Sequence, residues 1–227
     1  MRLYNVLKAD LLFQWKQGFY IIYMILTLVY LVILGQMPEL WLGYAVPLIL
    51  YSDPSVLGMF FIGGIVLLEK EQGILDLLTI TPLKTREFVI SKLIALTAIA
   101  LISGLAITVG SGVINVNYLL LSVGIVLTSV FYTSFGMVVS LKCQTVNGYF
   151  IKIVPWTLLM LLPFLGIIPL GMNPLLEVFP SYASLFLILS AYQGSSPAHE
   201  ISLIVFLCLV DTLMVKWVVR KLDAKTF

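Results

Sequence analysis

Long apolar runs separated by short polar breaks dominate the pattern of this 227-residue chain. A membrane-spanning helix needs roughly 20 apolar residues, because about 30 Å of hydrocarbon is crossed at 1.5 Å per residue. Six runs approach or reach that length, so the pattern predicts an all-α membrane protein with six transmembrane helices. The predicted spans cover residues 19–34, 45–68, 93–113, 118–141, 151–170 and 201–219.

The segment before the first span, residues 1–18, has a shorter and amphipathic pattern. On a helical projection Leu7, Leu11 and Trp15 share one face, while Asp10 lies largely opposite. This arrangement is typical of a helix that lies in the membrane interface with its tryptophan at headgroup level. A solvated leader with scattered apolar residues is the other interpretation.

The second span is interrupted by Asp53 and Pro54. An aspartate before a proline is a helix-start pattern, with Asp53 as the N-cap and Pro54 as the first helical residue, so we expect a break there. An acid this close to the bilayer is costly and is also a functional candidate. Helix capping is the simpler explanation.

A second irregular region, residues 172–200, precedes the last span. Its apolar part, residues 182–192, is only eleven residues long and lies between prolines. A segment of that length is better interpreted as re-entrant or interfacial than as spanning. The pattern therefore predicts an outer re-entrant hairpin between spans 5 and 6.

Composition and charge agree with one membrane domain over residues 1–227. Hydrophobic residues make up 61% of the chain and charged residues only 11%, whereas about a quarter of a soluble domain is charged. All thirteen lysines and arginines fall in four segments: before span 1, between spans 2 and 3, between spans 4 and 5, and at the end of span 6. The positive-inside rule then predicts both termini in the cytoplasm of a multi-pass cell-membrane protein.

The chain carries little of the chemistry of an enzyme. It contains no GxxxxGK[ST] motif, so it has no standard P-loop. Its one histidine, His199, has no second histidine or cysteine near it in sequence, and no metal site is predicted. Asp211 lies well within span 6, where it could line a pathway or pair with a base across a subunit contact. A hydrogen bond to a neighbouring helix is the structural alternative.

The longest charged stretch joins spans 2 and 3 over residues 69–92. Its run EKEQGILDLL from Glu69, followed by Thr81-Pro82, an acid and Ser91-Lys92, resembles the signature of ABC-2 type transporter permeases, roughly E-x-E-x-G-T-L-E-x-L-x-x-T-P, then an acid and G-K. Three residues depart from that pattern. They are Ile74 for Thr, Asp76 for Glu and Ser91 for Gly. Within the family, and with the run YSDPSVLG at residues 51–58 before the signature, the chain looks most like the small permeases of fluoroquinolone export.

The resemblance implies a membrane subunit of an exporter in a prokaryotic cell membrane. It implies a separate ATPase subunit that supplies ATP and Mg, and a second permease copy or a related permease. Together the two permeases would form the pathway for a small, lipophilic compound such as a drug or antibiotic. Residues 74–81 would form the cytoplasmic coupling helix that docks on the ATPase. The residues assigned to coupling are Glu69, Glu71, Gly73, Leu75, Asp76, Leu78, Thr81 and Pro82.

Physical chemistry agrees with a docking role for this stretch. A short amphipathic helix would offer Leu75 and Leu78 to a groove, with Glu69, Glu71 and Asp76 at its rim for basic partners. A connecting loop on the membrane surface is the alternative.

Two other functions stay open from the sequence. A secondary transporter would use Asp53 and Asp211 as ion sites, although no inverted repeat is visible. A non-transporting membrane scaffold is the other. An ATPase that co-purifies with the chain would favour the exporter over both.

Overall fold

The computed structural model describes residues 2–52, 54–74, 83–161 and 179–226, and all regular structure in these ranges is α-helical. The fold class predicted from the sequence is therefore confirmed as all-helical. The helices are α1 Arg2–Lys16, α2 Phe19–Leu34, α3 Glu39–Ser52, α4 Pro54–Glu71, α5 Thr85–Gly110, α6 Tyr118–Ser140, α7 Val146–Met160, α8 Pro180–Gln193 and α9 Pro197–Thr226.

Four stretches of the described chain are long and apolar enough to cross a membrane, and the count rises to five if a bent pair forms one span. The bent pair consists of α1 and α2, which meet at 62°. The predicted fifth span, residues 151–170, lies partly outside the described residues, so the six-span layout stays a prediction. The four stretches are Glu39–Glu71, Thr85–Gly110, Tyr118–Ser140 and Pro197–Ala224.

Helix α6 is the centre of the bundle and contacts α4, α5, α7, α8 and α9. Its closest neighbour is α4, because a Cβ atom at Gly136 would lie 2.5 Å from the backbone oxygen of Met59. No side chain fits in that space. Glycine at this position therefore sets how closely the two helix backbones approach.

Helix α3 ends at Ser52 and α4 begins at Pro54. The predicted break at Asp53, and the capping role of that residue, lie outside the described residues. The helical part of this span begins earlier than predicted, at Glu39 instead of residue 45. Glu39 lies in the first turn, where a carboxylate is favourable beside the positive end of the helix dipole.

Helix α1 is present as predicted, but its polar face is not the solvated face. Trp15 and Tyr4 are each 69% exposed, as expected of side chains available to lipid, yet Asp10 and Gln14 are buried. Asp10, which the helical projection places largely opposite the apolar face, is therefore turned toward the protein and not toward water. A charge on α5, described below, provides it with a partner inside the protein.

The short apolar segment before the last span forms α8, which is almost entirely buried against α3, α6 and α9. Its C-terminal end lies beside the turn between α5 and α6, where the Tyr192 and Thr108 hydroxyls are 2.7 Å apart and Asn117 N donates to Ala191 O at 2.9 Å. Fourteen residues reach about 21 Å at 1.5 Å per residue, less than a full membrane crossing. The re-entrant path stays a prediction that this length supports.

The four basic segments of the chain come together at one end of the bundle, here called the basic end. An ion pair joins α1 to the start of α5. Lys70, in the last turn of α4, donates to the backbone oxygen of Cys143 after α6 at 3.2 Å. Arg86 of α5 and Arg220 of α9 line one groove. This clustering is what the positive-inside rule requires, and the cytoplasmic orientation itself stays a prediction.

Candidate functional site

A buried ionic cluster ties three helices together at the basic end. The Lys92 ammonium lies 2.8 Å from Asp10 Oδ1 and 2.5 Å from Glu69 Oε1. The Ser91 hydroxyl donates to the second oxygen of Asp10 at 2.5 Å. Lys92 Nζ also lies 4.4 Å from the centre of the Phe88 ring, so the cation is fully enclosed by partners.

The cluster joins the two ends of the charged connecting stretch. Glu69 lies in the last turn of α4, before the stretch, and Lys92 lies two turns into α5, after it. The ion pair between them therefore closes the stretch into a loop with fixed ends. Asp10 attaches the interfacial helix α1 to the same point.

The predicted coupling residues divide into those that the structure describes and those outside it. Leu75, Asp76, Leu78, Thr81 and Pro82 lie outside the described residues. Glu69, Glu71 and Gly73 are described, and Glu71 is exposed as a docking residue would be.

Glu69 does not lie at the rim of a docking surface, as the sequence pattern suggested, because its side chain is buried against Lys92. A partner ATPase cannot reach a carboxylate that its own chain has enclosed. Any contribution of Glu69 to coupling would come through the position of the loop, and that role stays a prediction.

A groove of about 630 Å³ opens between α5, α6 and α9. Three bases line it, Arg86 from α5 and Lys216 and Arg220 from α9, and Asp211 lines it on α9. The side chain of Cys208, a free cysteine, lies one turn before Asp211. The remaining lining residues are Thr212 and five apolar ones: Ile90, Leu127, Val130, Val215 and Val219.

Asp211 differs from Asp10 and Glu69, the acids of the ionic cluster, because no cation of the described chain pairs with it. It is only 6% exposed, and neither of its carboxylate oxygens has a hydrogen-bond partner among the described residues. The structural alternative from the sequence, a hydrogen bond to a neighbouring helix, is not found within that part of the chain. An unsatisfied buried carboxylate is costly, so the residue is a functional candidate on physical grounds.

A pair of buried tyrosines holds α3, α6 and α7 together in the bundle interior. The Tyr51 and Tyr132 hydroxyls lie 2.6 Å apart, and Tyr51 also donates to the backbone oxygen of Met160 at 2.8 Å. Both hydroxyls thus have partners, which makes this a structural cross-link. Tyr51 belongs to the YSDPSVLG run of the sequence, and this hydrogen bonding explains its presence.

Sequence reasoning missed the roles of Lys92 and Asp10. Lys92 was visible as the last residue of the signature, but nothing in the pattern indicated that it is buried. A lysine followed by an apolar run of helical length is a signal of burial that could have been used. Among the residues that the structure describes, no three His, Cys, Asp or Glu side chains lie close enough together to hold a metal ion.

Comparison with known proteins extends over nearly the whole chain. The profile of the fluoroquinolones export permease protein family matches residues 1–225. Over 200 residues the chain is 30% identical to the fluoroquinolones export permease proteins of two Mycobacterium tuberculosis strains, CDC 1551 / Oshkosh and ATCC 25618 / H37Rv. The aligned region covers 87% of this chain and 84% of each relative.

Proposed function

Because the chain belongs to the fluoroquinolones export permease protein family, we propose that it is the membrane-spanning subunit of an ATP-driven drug exporter. The resemblance identified from the sequence is confirmed at the level of the family, and the family is one of membrane permeases for drug export. The finer proposal is that a separate ATPase subunit binds ATP and Mg and drives transport. A second permease copy would complete the pathway.

The observation that carries this proposal is the closed loop between Glu69 and Lys92. A segment that transmits force must be anchored at both ends, because slack at either end would absorb the motion. The buried ion pair anchors both ends to the bundle and to α1. The loop also carries the residues that resemble the coupling signature.

The test is a pull-down of the ATPase subunit by a permease with Leu78→Asp. Leu78 lies outside the predicted hydrocarbon region, so the variant should still insert and fold. A carboxylate placed in a docking groove without a partner costs several kcal/mol, and each 1.4 kcal/mol is a tenfold loss of affinity. We expect ATPase recovery, normalised to permease in the membrane, to fall at least about tenfold.

The matched control is Leu57→Asp within α4, which should lower the amount of inserted permease instead. Wild-type recovery of the ATPase by Leu78→Asp would reduce the segment to a connecting loop. Export that runs on a proton gradient without ATP would favour the secondary transporter.

A further inference from the structure

The groove between α5, α6 and α9 has three bases at one end. Arg86 lies in the first turn of α5, and Lys216 and Arg220 lie one turn apart toward the C-terminal end of α9. All three side chains are exposed, and none forms an ion pair with the described chain. An anion from outside the described chain would therefore meet three bases that the fold has not neutralised.

The rest of the groove is mostly apolar, and its walls belong to the membrane. The helices α5, α6 and α9 are each long and apolar enough to cross a bilayer. A groove between such helices is open to lipid, so hydrocarbon is the group that its walls meet. The apolar side chains that form the walls are Ile90, Leu127, Val130, Val215 and Val219.

We propose that this groove binds an anionic phospholipid of the surrounding membrane. Its phosphate lies between Arg86 of α5 and the Lys216–Arg220 pair of α9, and an acyl chain follows the apolar wall. Basic pockets between transmembrane helices recognise lipid headgroups in this way, and the fork of an arginine matches the geometry of a phosphate. The inference goes beyond the proposed export function and does not depend on it.

Asp211 limits where the phosphate can lie. It precedes Lys216 by five residues and Arg220 by nine, which corresponds to about 7.5 Å and about 13.5 Å along α9 at 1.5 Å per residue. An anion is repelled from the part of the groove that holds this acid and attracted to the end that holds the bases. The headgroup is therefore fixed at the basic end, and Asp211 is not one of its contacts.

A lipid bound in this way connects two helices at a mechanically important point. Arg86 is in the first turn after the charged loop, six residues before Lys92 of the ionic cluster. The phosphate would join this turn to α9 from the membrane side. Because the ligand binds only the folded arrangement, it should also stabilise that arrangement.

The experiment compares three probes on purified wild-type permease. They are phosphatidylglycerol, phosphatidylcholine with the same acyl chains, and glycerol 3-phosphate, which has the phosphate without the chains. Native mass spectrometry gives the stoichiometry and affinity, and thermal unfolding gives the stabilisation. We expect one phosphatidylglycerol per permease, bound at least about tenfold more tightly than phosphatidylcholine. Only phosphatidylglycerol should raise the thermal midpoint clearly.

Variants then assign the phosphate to its residues. Lys216→Gln and Arg220→Gln should each weaken phosphatidylglycerol binding about fivefold and leave phosphatidylcholine binding unchanged. The matched control is Lys221→Gln, because that ammonium lies 5.2 Å from the Trp217 ring centre and does not line the groove. Asp211→Asn should not weaken phosphatidylglycerol binding. Each variant is compared with itself in the two lipids, so a change in its own stability does not affect the result.

Cys208 reports on the acyl chain. It is exposed, lines the groove and lies about 12 Å before Lys216 along α9, whereas Cys143 is buried. With Cys143→Ala as background, phosphatidylglycerol should slow maleimide labelling of Cys208 severalfold. Glycerol 3-phosphate should not slow it, and the double variant Lys216→Gln, Arg220→Gln should remove the protection.

Four results would overturn the inference. Equal affinity for the two lipids would remove the role of charge, and a loss in Lys221→Gln as large as in Arg220→Gln would reduce the effect to diffuse attraction by the surface. Glycerol 3-phosphate that binds as tightly as phosphatidylglycerol would make this a site for a free phosphate compound. Labelling of Cys208 that slows with permease concentration and not with lipid would make the groove a contact between copies.

Discussion

The bundle buries carboxylates in two places and treats them in opposite ways. At the basic end, Asp10 and Glu69 share the Lys92 ammonium, and Asp10 also accepts from Ser91. In the groove, Asp211 is as deeply buried and has no partner among the described residues.

Whether a buried carboxylate has a partner distinguishes structural acids from functional candidates better than its degree of burial does. A buried charge that its own chain has paired serves to fix the helices that carry it, and its removal leaves the partners uncompensated. A buried carboxylate without a partner contributes nothing to folding that an amide would not. Within the described chain nothing compensates it, which makes Asp211 a functional candidate.

The largest effect on stability is expected in the ionic cluster of Asp10, Glu69 and Lys92. Lys92→Met leaves two buried carboxylates without a cation, which costs about 3–5 kcal/mol. We expect the amount of folded permease in the membrane to fall sharply, and the thermal midpoint of the purified protein to fall with it. Lys152→Met is the control, because that lysine is exposed and only donates to a backbone oxygen.

The triple variant Asp10→Asn, Glu69→Gln, Lys92→Met decides whether charge is the cause. Because no buried charge is then left without a partner, the thermal midpoint of the triple variant should recover at least half of the fall caused by Lys92→Met. A triple variant as unstable as Lys92→Met would assign the loss to packing instead.

A smaller effect of opposite sign is expected at Asp211. Asp211→Asn replaces an unpartnered carboxylate by a neutral amide of the same shape. The free energy of unfolding should therefore stay the same or rise by up to about 1 kcal/mol, and the thermal midpoint should stay the same or rise with it. The same unfolding measurement in detergent checks it. A clear loss of stability would show that Asp211 has a partner within the folded chain and would remove the contrast.

The smallest effect on stability is expected when Asp211 is given a partner. Val215→Lys places a cation one turn later on the groove face of α9, where an acid followed by lysine at i+4 gains about 0.2–0.5 kcal/mol. Asp211 would then resemble Asp10, and the unfolding measurement in detergent should show at most a small rise of the thermal midpoint. Leu213→Lys is the control, since Leu213 is exposed on the same helix, does not line the groove and is not placed at i+3 or i+4 from Asp211.

Much of the fold could be predicted because a membrane imposes length and apolarity on each span. The charged loop, the clustering of bases at one end and the buried Asp211 all follow from hydropathy and the cost of charge in hydrocarbon. The family resemblance followed from the residues around Glu69.

The pairings could not be predicted, because they depend on which helices meet. Asp10 and Lys92 are 82 positions apart, and no local pattern connects them. Glu69 was assigned to an exposed rim because an acid at the end of an apolar run usually reaches water. In the structure Glu69 pairs with Lys92 of the next helix and not with water, and this pairing depends on how the helices pack.

The contact between Gly136 and Met59 also limits how this protein can move. At this contact the backbones of α4 and α6 meet with no side chain between them to deform, so we expect the two helices to shift together. The hinges of any transport cycle must then lie at other helix pairs. We therefore expect a displacement at the C-terminal end of α4 to be transmitted directly to α6 at the centre of the bundle.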